Sequence, residues 1–547
     1  MTSLGDALKA ALAARKSKPG NGDSAVAANA GTDAAAPRPL GVEKAISQAA
    51  VGVRAETTAR WVGRFIPNPM FGLSQKRGGR RIRPSHSGIE PQLTSVPSNA
   101  ADIVLGLDFG TSTVKAVIRD ATARQTYLVQ FISDGAEPYL LPASAYRTGT
   151  TYSLDEGDCE ISDIKLKLLA CKARLPVGEF DDACAFLALV IRHCRGWFLD
   201  RYASLYRHHD LHWTLNVGVP ARSYADDRIV DRFRRLAWAA ANLASDAGKP
   251  QVRSDDVTLY RQLSLDVYRK DIGAAEIGDF EFQPADVDVV PEIAAQVHGF
   301  VQSSRWDGRT RPYMALMDIG AGTIDTAFFY VTNEERSRTR FVFYSSDVQP
   351  LGVVNLHRER LTWIRDAITR SCVGRPDVFA YLDYLESGVY RFQRVLESVV
   401  NYVPGLEYVT SQAHPLIDDE FFKKRVVAQL ARCIMQGKMD HRFQASTLHA
   451  MRFFLCGGGS RMEFYKRTPA VFNENRSGGL SLATEELPVP PRFDAPSLPD
   501  EEFDRVSVAY GLSWPSLGTI IRPQDIPPLP PLPSTDYRDQ LVGKEMV

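Results

Sequence analysis

Two short stretches of the sequence repeat one arrangement of residue types. One runs from Asp108 to Thr113 and the other from Asp318 to Asp325. In each, an aspartate ends an apolar stretch, a turn rich in glycine and threonine follows, and a second apolar stretch begins. Glycines let successive backbone N–H groups form a nest for an anion. The aspartate repels a phosphate unless a cation lies between them, so the pattern predicts a phosphate site with Mg²⁺ held through water.

A turn of this kind also occurs in plain β-hairpins, so one copy on its own is weak evidence for a ligand. Two copies, in two halves of one folded body, predict a duplicated scaffold that holds a polyphosphate from both sides. A third stretch supports this interpretation, because Gly457, Gly458 and Gly459 follow the apolar run that ends at Cys456. Such a turn lets a flat ligand lie against the backbone, and Arg461 is placed to stack on a base.

Strands and helices alternate around these stretches, which indicates an α/β fold. Apolar residues recur at helical spacing over residues 181–202, with Asp181 or Asp182 as the predicted cap. The stretch 211–220 follows as a buried strand. A second helix is predicted over residues 225–245, with one apolar face formed by Ile229, Phe233, Leu236 and Ala240.

The totals describe an ordinary globular protein. The chain has 547 residues, enough for several domains, and its 65 basic and 65 acidic residues balance. This balance gives no whole-protein reason to expect nucleic acid or an anionic membrane as a partner. The seven cysteines are scattered without a CxxC pair, which argues against a disulfide framework and favours a reducing cytoplasm. Neither a secretory signal nor a membrane span is expected.

The two ends of the chain differ from its middle. Residues 1–100 are rich in alanine, glycine, proline and serine and predict a mostly disordered extension. Within it, residues 4–14 predict a short amphipathic helix and residues 59–72 a docking segment. The basic run 76–84 is interpreted as a solvated linker rather than a nucleic-acid or lipid contact. Residues 517–547 form a proline-rich tail, interpreted as a spacer or a docking peptide.

Three stretches, in this order, resemble the ATPase domain of the Hsp70 chaperones, within the actin/Hsp70/sugar-kinase superfamily. "DFGTSTVKAV" is similar to the first phosphate loop, "DIGAGTIDTA" to the second and "LCGGGSR" to the adenosine loop. Supporting similarity lies in "LNVGVPARSYADDRIVDRFRRLAWAAANL", "PLGVVNLHRERL" and "FDRVSVAYGLS". The resemblance covers roughly residues 101–516, and it rests on the motifs taken together.

The resemblance implies two lobes, 101–307 and 308–516, each built on a ribonuclease-H-like fold, with MgATP in the cleft between them. It implies that Asp108 and Asp318 orient the magnesium waters and that Asp325 helps to position the attacking water. The residues implied to hold the phosphates are Gly110, Thr111, Ser112, Gly320, Gly322 and Thr323. The residues implied to line the adenosine are Gly457, Gly458, Gly459 and Arg461, with Asp504 nearby.

A catalytic lysine is implied as well. Lys165 is the better positional match and Lys167 the alternative, while a plain solvated lysine remains the competing interpretation for either. Two positions depart from the family. Ala321 stands where glycine is usual, and the family's Glu-Pro is transposed in Val290-Pro291-Glu292, which argues against a catalytic or magnesium-linked role for Glu292.

The leading hypothesis is a cytoplasmic, Hsp70-like, magnesium-dependent ATPase whose lobe closure switches its interaction with a protein partner. Only a short tail follows Ser513, which argues against an ordinary peptide-clamping chaperone, so the partner is expected at the N-terminal extension or the proline-rich tail. The alternatives are an actin-like filament former, a small-molecule kinase of the sugar-kinase branch and an ATP-binding scaffold without turnover. The histidines of "HHDLH", residues 208–212, are interpreted as surface residues rather than metal ligands.

Overall fold

The computed structural model describes residues 80–89, 99–134, 137–171, 177–269, 280–307, 313–333, 339–371, 376–387, 395–403, 416–439, 451–474 and 480–526. The predicted helix 4–14, the docking segment 59–72 and residues 527–547 of the tail lie outside these ranges. Over the described part the chain is an α/β protein with mixed sheets. None of its described helices combines the length and the apolar character that crossing a bilayer requires.

The strands are short to medium in length and fall into three sheets. In chain order they are β1 (Asn99–Phe109), β2 (Thr113–Asp120), β3 (Gln125–Leu128), β4 (Leu141–Pro142), β5 (Ala145–Thr148), β6 (Thr151–Ser153), β7 (Cys159–Ile161), β8 (His209–Val219), β9 (Val287–Pro291), β10 (Tyr313–Ile319), β11 (Ile324–Asn333), β12 (Thr339–Gln349), β13 (Met451–Cys456), β14 (Leu482–Glu485), β15 (Phe493–Asp494) and β16 (Thr519–Ile521).

The helices pack on the sheets and between them. In chain order they are α1 (Ile164–Ala170), α2 (Val177–Arg201), α3 (Ala203–Tyr206), α4 (Ala221–Tyr224), α5 (Asp227–Ser245), α6 (Ser254–Arg269), α7 (Glu292–Val301), α8 (Val353–Ser371), α9 (Pro376–Ser387), α10 (Ile417–Glu420), α11 (Ala428–Met439), α12 (Glu463–Lys466), α13 (Thr468–Glu474) and α14 (Ser507–Leu512). A π-helix, Phe421–Val427, joins α10 to α11. Short 3₁₀ turns cover Pro284–Asp286, Val399–Tyr402, Gly458–Arg461, Asp500–Arg505 and Pro523–Asp525.

The first sheet is built around β1. Its strand order is β15-β3-β2-β1-β8-β9, with β4 added beside β2. Strands β1, β2 and β3 run antiparallel to one another, whereas β8 and β9 run parallel to β1. Strand β1 is buried on both faces over its last seven residues, which explains why the sequence there is continuously apolar instead of alternating.

The second sheet repeats this arrangement around β10. Its order is β14-β13-β10-β11-β12-β16. Strands β10, β11 and β12 are antiparallel, and β13 and β14 are parallel to β10. Each sheet therefore has a central hairpin, β1–β2 in the first and β10–β11 in the second. On the other side of the first hairpin strand lie two strands parallel to it, β8 and β9 beside β1 and β13 and β14 beside β10. The two aspartate turns occupy the same place in both sheets.

Helices α7 and α14 lie against each other and connect the two sheets. The contact is close because Gly511 of α14 has no side chain: a Cβ at this position would lie 1.9 Å from the carbonyl oxygen of Ala295 in α7. On the outer face of the first sheet, α2, α5 and α6 pack together and complete its apolar core.

Helix α5 agrees with the sequence prediction. Asp226 precedes it and its side chain accepts a hydrogen bond from the backbone N–H of Arg228, as an N-cap does. Three of the four predicted apolar-face residues are fully buried, namely Phe233, Leu236 and Ala240, and Ile229 is partly buried against the same core.

The N-cap predicted for the helix over residues 181–202 is wrong. Helix α2 begins at Val177, so Asp181 and Asp182 lie inside it. Asp181 forms an ion pair with Arg261 of α6 at 2.8 Å. Asp182 accepts a hydrogen bond from the hydroxyl of Tyr152 at 3.2 Å. Both carboxylates therefore act in tertiary contacts that local sequence does not reveal.

Two segments from the predicted ends of the chain join the folded body. Residues 80–89 lie against α2 and form a bridge at Arg81 with Ile132. Strand β16, which falls within the range assigned to the tail, pairs in parallel with β12 at the edge of the second sheet. After β16, Arg522 forms an ion pair with Asp227 at the start of α5.

Candidate functional site

The two aspartate turns face one cavity of about 670 Å³. From the first turn it is lined by Asp108, Gly110, Thr111 and Ser112, and from the second by Asp318, Gly320, Ala321, Thr323 and Asp325. The turns nearly touch, since a Cβ built on Gly322 would lie 3.6 Å from the hydroxyl oxygen of Thr111. The loop Gly457, Gly458, Gly459 and the carboxylate of Asp504 complete the part of the wall that the sequence singled out.

Two of the singled-out residues do not line the cavity. Gly322 is not among the lining residues, and its carbonyl accepts a hydrogen bond from the side chain of Asn355 at 2.6 Å. Arg461 turns its guanidinium to Asp504, with 2.6 Å between Nη2 and Oδ1, and to the carbonyl of Glu501. Arg461 is thus not among the residues that line the cavity, where the adenosine was predicted to bind, and its guanidinium instead holds the carboxylate of Asp504.

The first turn contains a carboxylate with a cation beside it. Asp108 is buried, and its Oδ2 accepts a hydrogen bond from Nζ of Lys115 at 2.9 Å. Lys115 lies directly opposite Asp108 in the β1–β2 register, so the two side chains share one face of the sheet. The sequence analysis missed Lys115, although counting back across the turn would have placed it there.

The second turn has the same register but a different pair. Asp325 lies directly opposite Asp318 across β10 and β11. Burial raises the pKa of Asp318 to about 7, with Lys115 opposing the shift and Asp108 and Glu292 adding to it. Burial also raises the pKa of Asp325 well above its ordinary value, and Glu292 contributes. Unlike Asp108, neither Asp318 nor Asp325 forms an ion pair among the described residues, although Lys115 and Lys165 lie near enough to oppose the shifts.

Asp325 is held by the backbone at the start of α4. Its Oδ2 accepts a hydrogen bond from the backbone N–H of Ala221, 3.1 Å away, just after Pro220. Its Oδ1 is buried and has no hydrogen-bond partner within the described residues. One oxygen therefore fixes the side chain, and the other is left for a ligand or water.

A lysine and a glutamate form a buried ion pair in the cavity wall. Lys165 in α1 is 2% exposed, and its Nζ contacts Oε1 of Glu292 at the first position of α7. Burial raises the pKa of Glu292, and Lys165 opposes that shift. Lys167 is exposed and does not line the cavity, so the structure favours Lys165 of the two lysines. Glu292, which the sequence argument set aside, lies in the cavity with it.

The glycine loop contains one open position, Gly458, between two that leave no room for a side chain, since a Cβ on Gly459 would lie 2.4 Å from Cγ2 of Ile319. Gly457 has φ of +83°, and a Cβ there would lie 2.1 Å from Oδ1 of Asp318. A Cβ on Gly458 meets no atom of the described residues within 4 Å. Backbone conformation explains the first glycine, whereas the second leaves free space beside the cavity.

Further lining residues come from segments far apart in the chain, and the sequence analysis did not find them. Arg505 pairs with Glu137 and with Glu502, the latter at 2.9 Å. Across the described residues, the charged lining comprises seven carboxylates and four cations: Asp108, Asp134, Glu137, Glu292, Asp318, Asp325 and Asp504 against Arg81, Lys115, Lys165 and Arg505. A polyanion entering this cavity without a cation would meet an excess of negative charge.

Direct metal ligation by protein side chains has no support in the described residues, because no three histidine, cysteine, aspartate or glutamate side chains converge on one point there. The histidines at 208–212 do not form such a group. His212 lies 3.8 Å from Asp102 and 3.7 Å from Asp286, and it is 60% exposed.

Comparisons with known proteins leave the chain without an assigned family. No protein-family model matches the sequence, and no curated protein is significantly similar to it.

Proposed function

We propose that the chain is a two-lobed ATP-binding protein of the actin/Hsp70 type, and that its cavity binds MgATP and hydrolyses it slowly enough to act as a switch. The observation that carries the proposal is the duplication. Two sheets of the same strand order each present an aspartate turn, at the same topological position, to one cavity. Two-sided binding of a phosphate chain explains why both copies keep the aspartate.

The sheet topology supports this architecture. In each sheet three antiparallel strands are followed by two parallel strands beside the first, which is the order of a ribonuclease-H-like fold. The lobes are proposed to meet at α7 and α14, with the cavity between them. Its volume of about 670 Å³ lies within the ordinary range for small-molecule sites.

The residues present fit a magnesium–phosphate ligand. The turns supply backbone N–H groups and the hydroxyls of Thr111, Ser112 and Thr323 to phosphate oxygens. Asp108 and Asp318 are proposed to accept hydrogen bonds from waters on the ion, since both carboxylates line the cavity. When bound, Mg²⁺ neutralises charge on the transferred phosphate.

The chain's own side chains would position the reacting groups. Lys165 is fixed by Glu292 and brings a cation to the phosphate side of the cavity. Asp325 is fixed through Oδ2, and its Oδ1 is proposed to accept a hydrogen bond from the attacking water. The glycine loop is proposed to receive the nucleoside. Closure of the lobes on the ligand would alter the surface offered to a protein partner.

Nucleotide binding to the full chain tests the proposal directly. Titration calorimetry with ATP and ADP, with and without Mg²⁺, should show magnesium-dependent binding. Asp318→Asn should weaken it more than tenfold, which corresponds to about 1.4 kcal/mol or more. Asp288→Asn is the matched control, because Asp288 is exposed on β9 and lies outside this cavity. Failure of the wild-type chain to bind either nucleotide would refute the proposal.

Turnover separates the proposed ATPase from the other functions of this architecture. Phosphate release without an added acceptor supports the switch. ATP use that requires a sugar would instead support a kinase, and sedimentation of ATP-loaded protein at high concentration would support a filament. Binding without any turnover would support a nucleotide-dependent scaffold.

A further inference from the structure

A segment that belongs to neither sheet forms part of the cavity wall. We call residues 80–89 the N-terminal strap. Its Ile82 donates a backbone hydrogen bond to Phe131 at 2.9 Å, and its Arg80 carbonyl accepts one from the N–H of Ser133 at 2.7 Å. The strand-like stretch that follows β3 therefore has the strap on one side. Ile132 and Asp134 from this stretch line the cavity.

The strap is fixed at its far end as well. The backbone N–H groups of Ser85 and His86 donate to the carboxylate of Asp200 in α2, at 2.6 and 3.0 Å. The packing beyond them is close, since a Cβ on Gly88 would lie 2.2 Å from the carbonyl oxygen of Arg192. Contacts at both ends hold the middle of the strap in one place.

Arg81 is the strap residue that reaches the cavity. Its Nε lies 3.1 Å from Oδ1 of Asp155, and its side chain is 21% exposed. Its Nη1 is buried and has no hydrogen-bond partner in the described part of the chain. Arg83, two residues on, lies 3.2 Å from the other oxygen of Asp155, but it is 76% exposed and does not line the cavity.

We propose that Arg81 is an anion-binding residue of the cavity and contacts the phosphate chain of the bound nucleotide. Arg81 lines the cavity with a side chain that is 21% exposed, and a phosphate oxygen that reaches its guanidinium would form a charge-assisted hydrogen bond. In a lining where carboxylates outnumber cations, each cation matters for an anionic ligand. The inference rests on the proposed function, because it needs a nucleotide in this cavity.

Arg81 is carried by the N-terminal strap. Arg81 comes from a segment outside both sheets, so part of the ligand-binding charge is supplied by the N-terminal region rather than by the duplicated scaffold. Asp155 orients the guanidinium, and the bridge between Arg81 and Ile132 fixes the position of the Arg81 backbone beside the cavity. The nucleotide and the strap would therefore stabilise each other's position.

The test compares Arg81→Gln, Arg81→Lys and Arg83→Gln in the full chain, with ATP, ADP and adenosine as probes. Arg81→Gln should weaken ATP binding about fivefold to tenfold, ADP less and adenosine least, because the lost interaction scales with ligand charge. Arg81→Lys should restore part of the ATP affinity. Arg83→Gln is the matched control, because it removes the same charge beside the same carboxylate, Asp155. It should bind all three probes with wild-type affinity, since Arg83 does not line the cavity.

Several results would overturn the inference. Unchanged ATP affinity in Arg81→Gln is one. An equal loss for ATP, ADP and adenosine is another, because it would assign Arg81 a purely structural role in holding the wall. Thermal unfolding curves of each variant show whether the fold is intact. Wild-type protein that binds no ATP would refute the proposed function and this inference together, whereas normal ATP binding with an unaffected Arg81→Gln refutes the inference alone.

Discussion

Replacing the glycines of the loop 457–459 one at a time by alanine separates what the fold needs from what a ligand needs. At Gly457, φ is +83°, and the new Cβ would lie 2.1 Å from Oδ1 of Asp318 and 2.7 Å from the carbonyl oxygen of Ile319. At Gly458 the new Cβ would meet no atom of the described residues within 4 Å. The two substitutions are chemically the same and adjacent in sequence, so each is the other's control.

The expected effects on stability follow from these contacts. In Gly457→Ala, the backbone at φ +83° and ψ 167° lies in a region open essentially to glycine alone and costs about 1–3 kcal/mol. The steric overlap adds about 1–3 kcal/mol, because a backbone carbonyl cannot move aside. In Gly458→Ala, the free energy of unfolding should change by no more than about 0.5 kcal/mol. A small gain is equally consistent, since alanine restricts the unfolded chain.

The expected effects on binding differ in origin. Gly457→Ala displaces Asp318 and should lose magnesium-dependent ATP binding along with stability. Gly458→Ala should keep its stability and still bind adenosine and ATP about tenfold more weakly, because the methyl group occupies space proposed for the nucleoside.

Urea unfolding and calorimetric titration of both variants measure these two quantities separately. If Gly458→Ala binds ATP and adenosine with wild-type affinity, the nucleoside does not lie against this loop. If Gly457→Ala is as stable as the wild type, the backbone argument for glycine is wrong. The most informative outcome is a stable Gly458→Ala with weakened adenosine binding, which no folding argument explains.

Three further predictions concern the charged groups. Lys165→Met should lower the free energy of unfolding, measured in urea, by about 3 kcal/mol, because it leaves the buried Glu292 without its ion-pair partner. The double variant Lys165→Met with Glu292→Gln should recover this stability but not the rate of phosphate release in turnover assays. Asp325→Asn should bind MgATP within about threefold of wild type yet release phosphate at least about tenfold more slowly in single-turnover assays. The ligand-free protein should lose stability as pH rises from about 4 to about 7, because the raised pKa of Asp318 makes the folded state bind more protons than the unfolded state in that window. In Asp318→Asn, the midpoint of urea unfolding should depend less on pH over the same range.

The sequence predicted those parts of the site that are local. An aspartate at the end of an apolar strand, followed by a glycine turn, specifies a hairpin whose carboxylate lies at its tip. Asp108 and Asp318 do line one cavity, while the roles predicted for them stay predictions. The alternation of strands and helices also predicted the α/β class correctly. In each case the residues that carry the signal lie within a few positions of each other.

The sequence did not predict contacts between distant segments. Arg81 reaches the cavity because the strap bridges to Ile132, and Arg505 does so through Glu137, more than three hundred residues away. Glu292 was set aside because its neighbour proline is transposed. The position of Glu292 is instead set by the parallel pairing of β8 with β9, which aligns Val219 with Pro291. Pairings of this kind are fixed by the whole sheet, so one short motif cannot reveal them.

Although the two hairpins are alike in topology, the residue opposite the aspartate differs: it is Lys115 in the first and Asp325 in the second. The carboxylate of Asp108 is thus paired with Lys115, 2.9 Å away, whereas in the described part of the chain neither Asp318 nor Asp325 forms an ion pair. In the ligand-free protein the raised pKa values of Asp318 and Asp325 favour the protonated form, which lowers the cost of placing these two carboxyl groups side by side. A ligand that brings its own cation removes the need for protonation, because the cation stabilises the ionised carboxylates that water-mediated ligation requires. The two turns therefore differ in their charge balance, and under the proposed function we expect a metal-bound polyphosphate to bind more tightly than a bare one.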